Sequence, residues 1–333
     1  MKKLLTGNEA VALGAYEAGV HFAAAYPGTP STEILENIAP YKEIIAEWSP
    51  NEKVAFEAAF GASIAGARSL AAMKHVGLNV AADPFFTAGY TGVNGGMVLV
   101  VADDPGLHSS QNEQDSRYYA KHAKVAMLEP SNSQEAKDMV KKALEISEKY
   151  DTLVMMRMTT RVCHSKSLVE VGERQEVELR PYVKNLQKYY VAPAVAKQLH
   201  VKLEERLKKL EEFSNETELN YIEWNDRKIG VISSGVAYEY ARETIINEIN
   251  GDVSKGILPK YDLSTQEGKE KLRDRIAAYY GILGAEGISR LFIDLGINPL
   301  DIASEEYWDN LSRKHSGNIA GGSTGGVRRY TSQ

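Results

Sequence analysis

The chain is short of cysteine: 333 residues contain one, Cys163, which excludes a disulfide framework and any all-cysteine metal or cluster site built from this sequence. It also lacks a long apolar run. Val20 to Tyr26 and Met97 to Ala102 are the longest, strand-length and far below a membrane span. It lacks an excess of one charge, since the net value of −6 is spread along the sequence, and this argues against a nucleic-acid surface. The first residues, Met1-Lys2-Lys3-Leu4-Leu5, run straight into the polar Thr6-Gly7-Asn8-Glu9, leaving no apolar core for a signal peptide. A cytoplasmic protein with no membrane or nucleic-acid partner is therefore expected. No G-x-G-x-x-G stands at the first turn and no Walker A motif is present, which weakens ordinary dinucleotide and P-loop readings.

What is present is a run of alternating strand and helix signals. Thr6 and Glu9 form a capping box opening an alanine-rich helix from Asn8 to Ala18, which Gly19 ends. Val20 to Tyr26 reads as a buried strand, followed by a tight turn Pro27-Gly28-Thr29 and a helix of Pro30 to Ile38, with Thr29 as its cap. Further strands are expected at Ile44 to Trp48, Leu70 to Lys74, Met97 to Ala102, Ala126 to Leu128 and Thr152 to Met158. Helices are expected at Ser49 to Arg68, Leu78 to Ala88 and Ser133 to Tyr150, with His75 to Gly77 as a loop. Strands apolar on both faces and alternating with helices predict an α/β fold, a doubly wound parallel sheet, over residues 1–165.

Beyond residue 165 the composition changes. Residues 166–227 read as a linker: Ser167 to Lys188 is charged and irregular, and Ala192 to Phe213 is an amphipathic helix with Val195, Leu199, Leu203, Leu207 and Leu210 on one stripe. Residues 228–250 read as the start of a second α/β domain, with a strand at Ile229 to Ser233 and a helix from Gly235 to Ile249. Residues 251–315 are atypical and mainly helical, with helices at Gln266 to Leu283 and Ile288 to Leu295, and residues 316–333 form a Gly/Ser/Arg tail expected to be disordered.

Ligands of such sheets bind beyond the carboxyl ends of the strands. Three features on that rim attract notice. Gly28 lies between a strand and a helix N-terminus, a place suited to a carboxylate or another anion. The stretch from Asp103 to Asp115 is the densest polar run in the chain, and its alternative is a solvated loop. The Ser49 to Arg68 helix, with Ser49 as cap and Glu52 closing a capping box, is made mostly of small residues, and one carboxylate, Glu57, stands among them. Two glycines in a helix interior, Gly61 and Gly66, each cost about 1 kcal/mol relative to alanine, so another backbone is expected to pack closely there. Desolvated against a partner surface, Glu57 would share a proton with a bound base; on an open helix face it would be an ordinary surface carboxylate. No convincing metal-ligand spacing is found. His21 reads as a core or hydrogen-bonded residue, and His75 and His108 as strand-exit loop residues, with a substrate contact as the alternative for His108.

Taken together, Gly7-Asn8-Glu9-Ala10, Ala25-Tyr26-Pro27-Gly28-Thr29-Pro30-Ser31, Phe56-Glu57-Ala58-Ala59, Lys74-His75-Val76-Gly77-Leu78-Asn79, Asp103-Asp104-Pro105-Gly106 through Tyr118-Tyr119-Ala120, Leu128-Glu129-Pro130-Ser131 and Ser234-Gly235-Val236-Ala237-Tyr238 carry a resemblance. The chain resembles the alpha subunits of indolepyruvate:ferredoxin oxidoreductases, within the thiamine-diphosphate-dependent 2-oxoacid:ferredoxin oxidoreductases. The match is near-continuous from residue 4 to 165 and looser to 245. It implies a pyrimidine-type domain in which Glu57 contacts N1′ of the cofactor's aminopyrimidine as the catalytic carboxylate, with Pro27, Gly28 and Thr29 beside the cofactor. Thr29, His75, Asp103, His108 and Gln111 become candidate substrate contacts, with Thr29 foremost. The implied reaction is oxidative decarboxylation of an arylpyruvate, a step of amino-acid catabolism. Electrons pass to ferredoxin and the acyl group to coenzyme A.

The family's longer chains continue into a pyrophosphate domain with a Gly-Asp-Gly metal motif and a cysteine-rich cluster segment, and this sequence contains neither. The resemblance therefore implies that diphosphate, Mg²⁺ and iron–sulfur clusters belong to a pyrophosphate-domain or beta-type subunit, or to a missing segment, in an oligomer of like or unlike chains. A truncated or fused, non-catalytic binding module is the alternative.

Overall fold

The computed structural model describes residues 1–222, 231–242, 264–274, 298–301 and 303–316. It divides into two compact units, Met1–Glu239 and Tyr240–Gln333.

The first unit is built on a six-stranded, all-parallel sheet in the order β3-β2-β4-β5-β7-β6. Its strands are β2 (Phe22–Ala25), β3 (Ile45–Trp48), β4 (Ser69–Lys74), β5 (Met97–Asp103), β6 (Ala126–Leu128) and β7 (Val154–Thr159). Side chains alternate between two cores, as a period of two requires. Leu70, Ala72, Val98, Val100, Val154 and Met156 face α1 (Gly7–Glu17), α2 (Thr32–Ile38) and α7 (Ser133–Tyr150). Ala71, Met73, Leu99, Val101 and Met155 face α3 (Glu52–Ile64), α4 (His75–Val80), α5 (Ala82–Thr91) and α6 (Arg117–Ala123). Helices on both faces make the expected doubly wound α/β fold. Cys163, on α8 (Thr160–His164), is buried, and burial pushes its thiol far up, so it is inert.

Several expectations hold in detail. The Thr6/Glu9 capping box is complete, with the Glu9 N–H 3.2 Å from Thr6 Oγ1 and the Thr6 N–H 2.7 Å from Glu9 Oε2. β6 and α7 carry the expected limits. Other expectations are corrected. A two-stranded antiparallel ribbon, β1 (Lys2–Thr6) with β8 (Lys166–Glu170), occupies stretches not expected to be strands. Its partners lie far apart in sequence, so neither strand signals itself alone. Thr29 does not cap α2. The Ser31 N–H donates to the Gly28 carbonyl at 2.8 Å, so a turn over residues 28–31, with a cis Thr29–Pro30 peptide, fills that place and the helix starts at Thr32. Ser49 does not cap α3 either. Its N–H still pairs with the Ala25 carbonyl at 2.9 Å as part of the sheet, and Asn51 Oδ1 takes the Val54 N–H at 2.9 Å instead. His75 to Gly77 is the first turn of α4 and not a loop.

After β8 the chain runs without regular structure over residues 171–184 and forms α9 (Leu186–Tyr189) and α10 (Pro193–Glu216). Leu199, Leu203 and Leu210 of the expected stripe are buried. Arg206 joins them, donating to the Gly89 carbonyl at 2.6 Å and to that of Asp151. The strand expected at Ile229 to Ser233 is not present over residues 231–233, where Ile232 is fully exposed; residues 229–230 lie outside the described part. The expected helix from Gly235 begins as α11 (Val236–Tyr240), and its remainder lies outside.

In the second unit, residues 266–274 and Glu305–Ser316 are helical. The rest of the Gln266 to Leu283 helix, all of Ile288 to Leu295 and the tail beyond Ser316 lie outside the described residues.

Candidate functional site

Strand order in the parallel sheet reverses between β2 and β4: β3 lies on one side of β2, and β4, β5 and β7 on the other. That reversal opens a crevice at the carboxyl ends of β2 and β4. Pro27 and Thr29 are exposed beside it. Gly28 is not the free anion donor its position suggested, because its N–H donates to Thr32 Oγ1 at 2.8 Å and its carbonyl accepts from Ser31 Oγ at 2.8 Å. What lies against Gly28 is the side chain of Lys74, the last residue of β4. A Cβ built on Gly28 would come within 3.0 Å of Lys74 Cδ. The Lys74 ammonium then reaches across to the Ser109 carbonyl at 3.0 Å.

The polar stretch after β5 is a wired loop over residues 104–116, not a loose one. Asp104 accepts from the Ser109 N–H at 2.7 Å, from Ser110 Oγ at 2.9 Å and from Thr160 Oγ1 at 2.7 Å. Burial pushes its carboxyl up, but these hydrogen bonds, the Ser109 one foremost, carry it below the usual aspartate value. Gly106 and Leu107 turn the chain at φ +83° and +59°. The far side of the loop is fastened to α4: His75 Nε2 lies 2.9 Å from the Asn112 carbonyl, and Asn79 Nδ2 donates to Gln114 Oε1 at 2.8 Å. His75 is buried and Nδ1 has no partner, while His108 and Gln111 are exposed on the outer surface of the loop.

Asp103 sits beneath this loop with no exposed surface. Its Oδ2 accepts from Arg157 Nε at 2.7 Å and from the Ser116 N–H at 3.1 Å, and Arg157 also binds Glu129. Burial, outweighing the attraction of Arg157, holds the Asp103 carboxyl above its ordinary value. Asp103 is thus an interior support of the loop.

Glu57 stands on the outer face of α3, exposed, with Val54 and Gly61 exposed on the same side. A Cβ on Gly61 would meet nothing within 4 Å, so the backbone expected opposite it is not supplied by the described residues of this chain. Gly66 is different: it lies beyond the helix end at φ +104°, and a Cβ there would sit 1.8 Å from the Arg180 carbonyl oxygen. The first turn of α3 adjoins the rim, because Glu52 packs on Gly77 of α4.

The fold thus gathers Gly28, Lys74, His75 and the loop bearing His108 and Gln111 at one crevice. Glu57 makes no hydrogen bond to them and faces outward on a neighbouring helix. Among the described residues no group of three or more His, Cys, Asp or Glu side chains is placed to hold a metal ion, and no described helix is long and apolar enough to cross a membrane. Sequence reasoning passed over Lys74 and Arg157. Each is a lone cation in an apolar strand, SLAAMK and VMMRMT, and that contrast was the available signal.

Residues 13–218 match the family described as pyruvate flavodoxin/ferredoxin oxidoreductase, thiamine diphosphate-binding. The chain is 46% identical over 255 residues to indolepyruvate oxidoreductase subunit IorA of Archaeoglobus fulgidus, covering 74% of this chain and 41% of that protein. It is 49% identical over 252 residues to the same subunit of Pyrococcus abyssi, covering 73% and 39%. It is 28% identical over 188 residues to 2-oxoglutarate synthase subunit KorA of Methanothermobacter thermautotrophicus, covering 53% and 49%. In fold it is similar to a 2-oxoglutarate:ferredoxin oxidoreductase from Magnetococcus marinus, with a TM-score of 0.59 at 18% identity, over 75% of this chain and 52% of that one. The chain spans about two fifths of the length of the indolepyruvate oxidoreductase subunits it matches.

Proposed function

Since the chain belongs to the pyruvate flavodoxin/ferredoxin oxidoreductase, thiamine diphosphate-binding family, we propose that it is the pyrimidine-side part of a 2-oxoacid oxidoreductase acting on arylpyruvates. The single observation that carries this reading is Glu57, an exposed carboxylate on a helix face that the described residues leave open. An aminopyrimidine suits such a place. It needs a carboxylate to share a proton with its ring nitrogen and small residues that let a flat ring approach. Glu57 would hold that proton, and Val54, Ala58 and Gly61 would border the ring.

When bound, thiamine diphosphate supplies a nucleophilic carbon for the 2-oxo group and a sink for the electrons left by decarboxylation. The chain's own contribution is orientation and proton placement. Glu57 fixes the pyrimidine at one atom. The turn at Pro27, Gly28 and Thr29 and the loop over residues 104–116 wall the crevice where the 2-oxoacid enters, with Thr29, His108 and Gln111 exposed on those segments. His75 and Asp103 act one step back, holding that loop. The diphosphate, its Mg²⁺ and the iron–sulfur clusters are assigned to a partner chain or further segment, with ferredoxin and coenzyme A as acceptors, in the cytoplasm.

The test is co-expression with a pyrophosphate-domain partner, followed by thiamine-diphosphate binding and arylpyruvate-dependent dye reduction. Activity is expected only in the complex, and Glu57→Gln is expected to abolish turnover without loss of assembly. A Glu57→Gln complex that turns over at the wild-type rate removes Glu57 from the chemistry. A chain that binds neither cofactor nor any such partner is the non-catalytic module.

A further inference from the structure

We propose that Lys74 is the residue that binds the substrate carboxylate. The assignment rests on the 2-oxoacid reading above and names the group that would recognise the acid. A 2-oxoacid needs a cation at the mouth of the crevice, and the backbone donor expected there is spent, because the Gly28 N–H is bonded to Thr32 Oγ1 at 2.8 Å. Lys74 stands in its place. Its strand, β4, borders the point where the strand order reverses, and it is the last residue before the rim. Its aliphatic stem lies on Gly28, where a Cβ would approach Cδ to 3.0 Å and Cγ to 3.2 Å. A larger residue at position 28 would push the stem aside, so the glycine serves the lysine more than a ligand.

The ammonium is aimed by one hydrogen bond, to the Ser109 carbonyl at 3.0 Å, and an ammonium has three donors. Among the described residues it has no carboxylate partner. The other cations near this rim are committed: Arg157 to Asp103 and Glu129, and Arg117 to Asp115. A half-buried, oriented and uncompensated cation is an anion site, and two remaining donors match the two oxygens of one carboxylate. Lys74 also joins the two segments that wall the crevice, the Gly28 turn and the loop over residues 104–116. A carboxylate held there would touch both.

The experiment uses the assembled complex with thiamine diphosphate and two unreactive probes, a 3-arylpropionate and its amide, titrated by calorimetry. The wild-type complex is expected to bind the acid about tenfold or more tightly than the amide, as fits a charge-assisted contact. Lys74→Met is expected to erase that preference and to raise KM for the arylpyruvate by a similar factor with a smaller change in kcat. Lys74→Arg is expected to keep part of it. A Lys74→Met complex that still prefers the acid overturns the assignment. Should Lys74→Met fail to assemble, amine labelling of the wild-type complex read by mass spectrometry decides. Protection of Lys74 by the acid and not by the amide supports the proposal, and equal labelling with both overturns it. The two readings fail differently. An active complex with an unchanged preference in Lys74→Met sinks Lys74 alone, whereas a wild-type complex without cofactor binding or 2-oxoacid oxidation sinks the functional reading and Lys74 with it.

Discussion

Arg157 Nε lies 2.7 Å from Asp103 Oδ2, and neither side chain keeps more than 7% of its surface exposed. The pair crosses between neighbouring strands at the carboxyl end of the sheet, and Glu129 at the exit of β6 takes the other end of the guanidinium. The same Asp103 carboxylate receives the Ser116 N–H, where the loop over residues 104–116 returns to the fold. One buried arginine therefore ties three strand exits and the returning end of the loop together.

Breaking that pair from one side is costly, because it strands an uncompensated charge in the interior. Arg157→Met is expected to destabilise the chain by about 3–5 kcal/mol, whereas the double variant Arg157→Met/Asp103→Asn recovers a large part of the loss. Urea unfolding of the wild type, both single variants and the double variant measures it. Additive losses would show that the two groups do not act as a pair.

The two glycines of the 49–68 stretch should respond with opposite signs. Gly61 is helical, and a Cβ there meets nothing within 4 Å, so Gly61→Ala is expected to stabilise the isolated chain by about 0.5–1 kcal/mol. The same methyl group stands one turn beyond Glu57, and in the complex it is expected to weaken partner binding. Gly66→Ala places a Cβ 1.8 Å from the Arg180 carbonyl oxygen at φ +104°, and is expected to cost about 2 kcal/mol or more. Thermal unfolding of both variants, with an affinity measurement for Gly61→Ala, separates the cases.

That contrast shows where the sequence was legible. Composition named both glycines as odd for a helix, yet only the end of α3, fixed by the approach of residue 180 from more than 100 positions away, tells which of them is a close contact. The sheet strands and α7 were readable because apolar runs and helical periods are local. The starts of α2 and α3 were not. Ser49 and Asn51 are both good caps by type, and what decides between them is that the Ser49 N–H is still engaged by the Ala25 carbonyl on a neighbouring strand. The site divides in the same way. Glu57 stood out on its own helix, and the loop after Asp103 stood out by composition. That Asp103 points inward and that Lys74 reaches Ser109 depend on pairings across the sheet, which spacing along the chain does not encode.

Acid should weaken the chain partly through Glu148. Its carboxylate accepts from Arg68 Nε at 2.7 Å and from Nη2 at 2.9 Å, with Arg180 Nη2 3.2 Å away. Burial raises the carboxyl, but these contacts, Arg68 foremost, hold it below its ordinary value of 4.5. A depressed folded-state value means stability that is present above 4.5 and lost as pH falls through the folded value. Glu148→Gln is therefore expected to be less stable at neutral pH and to show a shallower decline below 4.5. Denaturant midpoints measured from neutral pH downward give both slopes, and parallel slopes would remove Glu148 from the acid limb.

His75 offers the last contrast, between a substrate contact and a loop anchor. Its ring is buried, and Nε2 lies 2.9 Å from the Asn112 carbonyl, so its effect on the crevice passes through the loop over residues 104–116. His75→Ala removes that bond and leaves a cavity under the loop, with an expected loss of about 1–3 kcal/mol. Hydrogen exchange should rise across residues 105–115 while the amides of β4 and β5 stay protected, since the loop opens locally and the strands pair with one another without it. In the complex, binding of the acid and amide probes should weaken alike, and kcat and KM for the arylpyruvate should worsen together, because no charge has been removed from the crevice. Unchanged exchange in the loop, with loss of binding confined to the acid, would instead make His75 a direct ligand of the substrate.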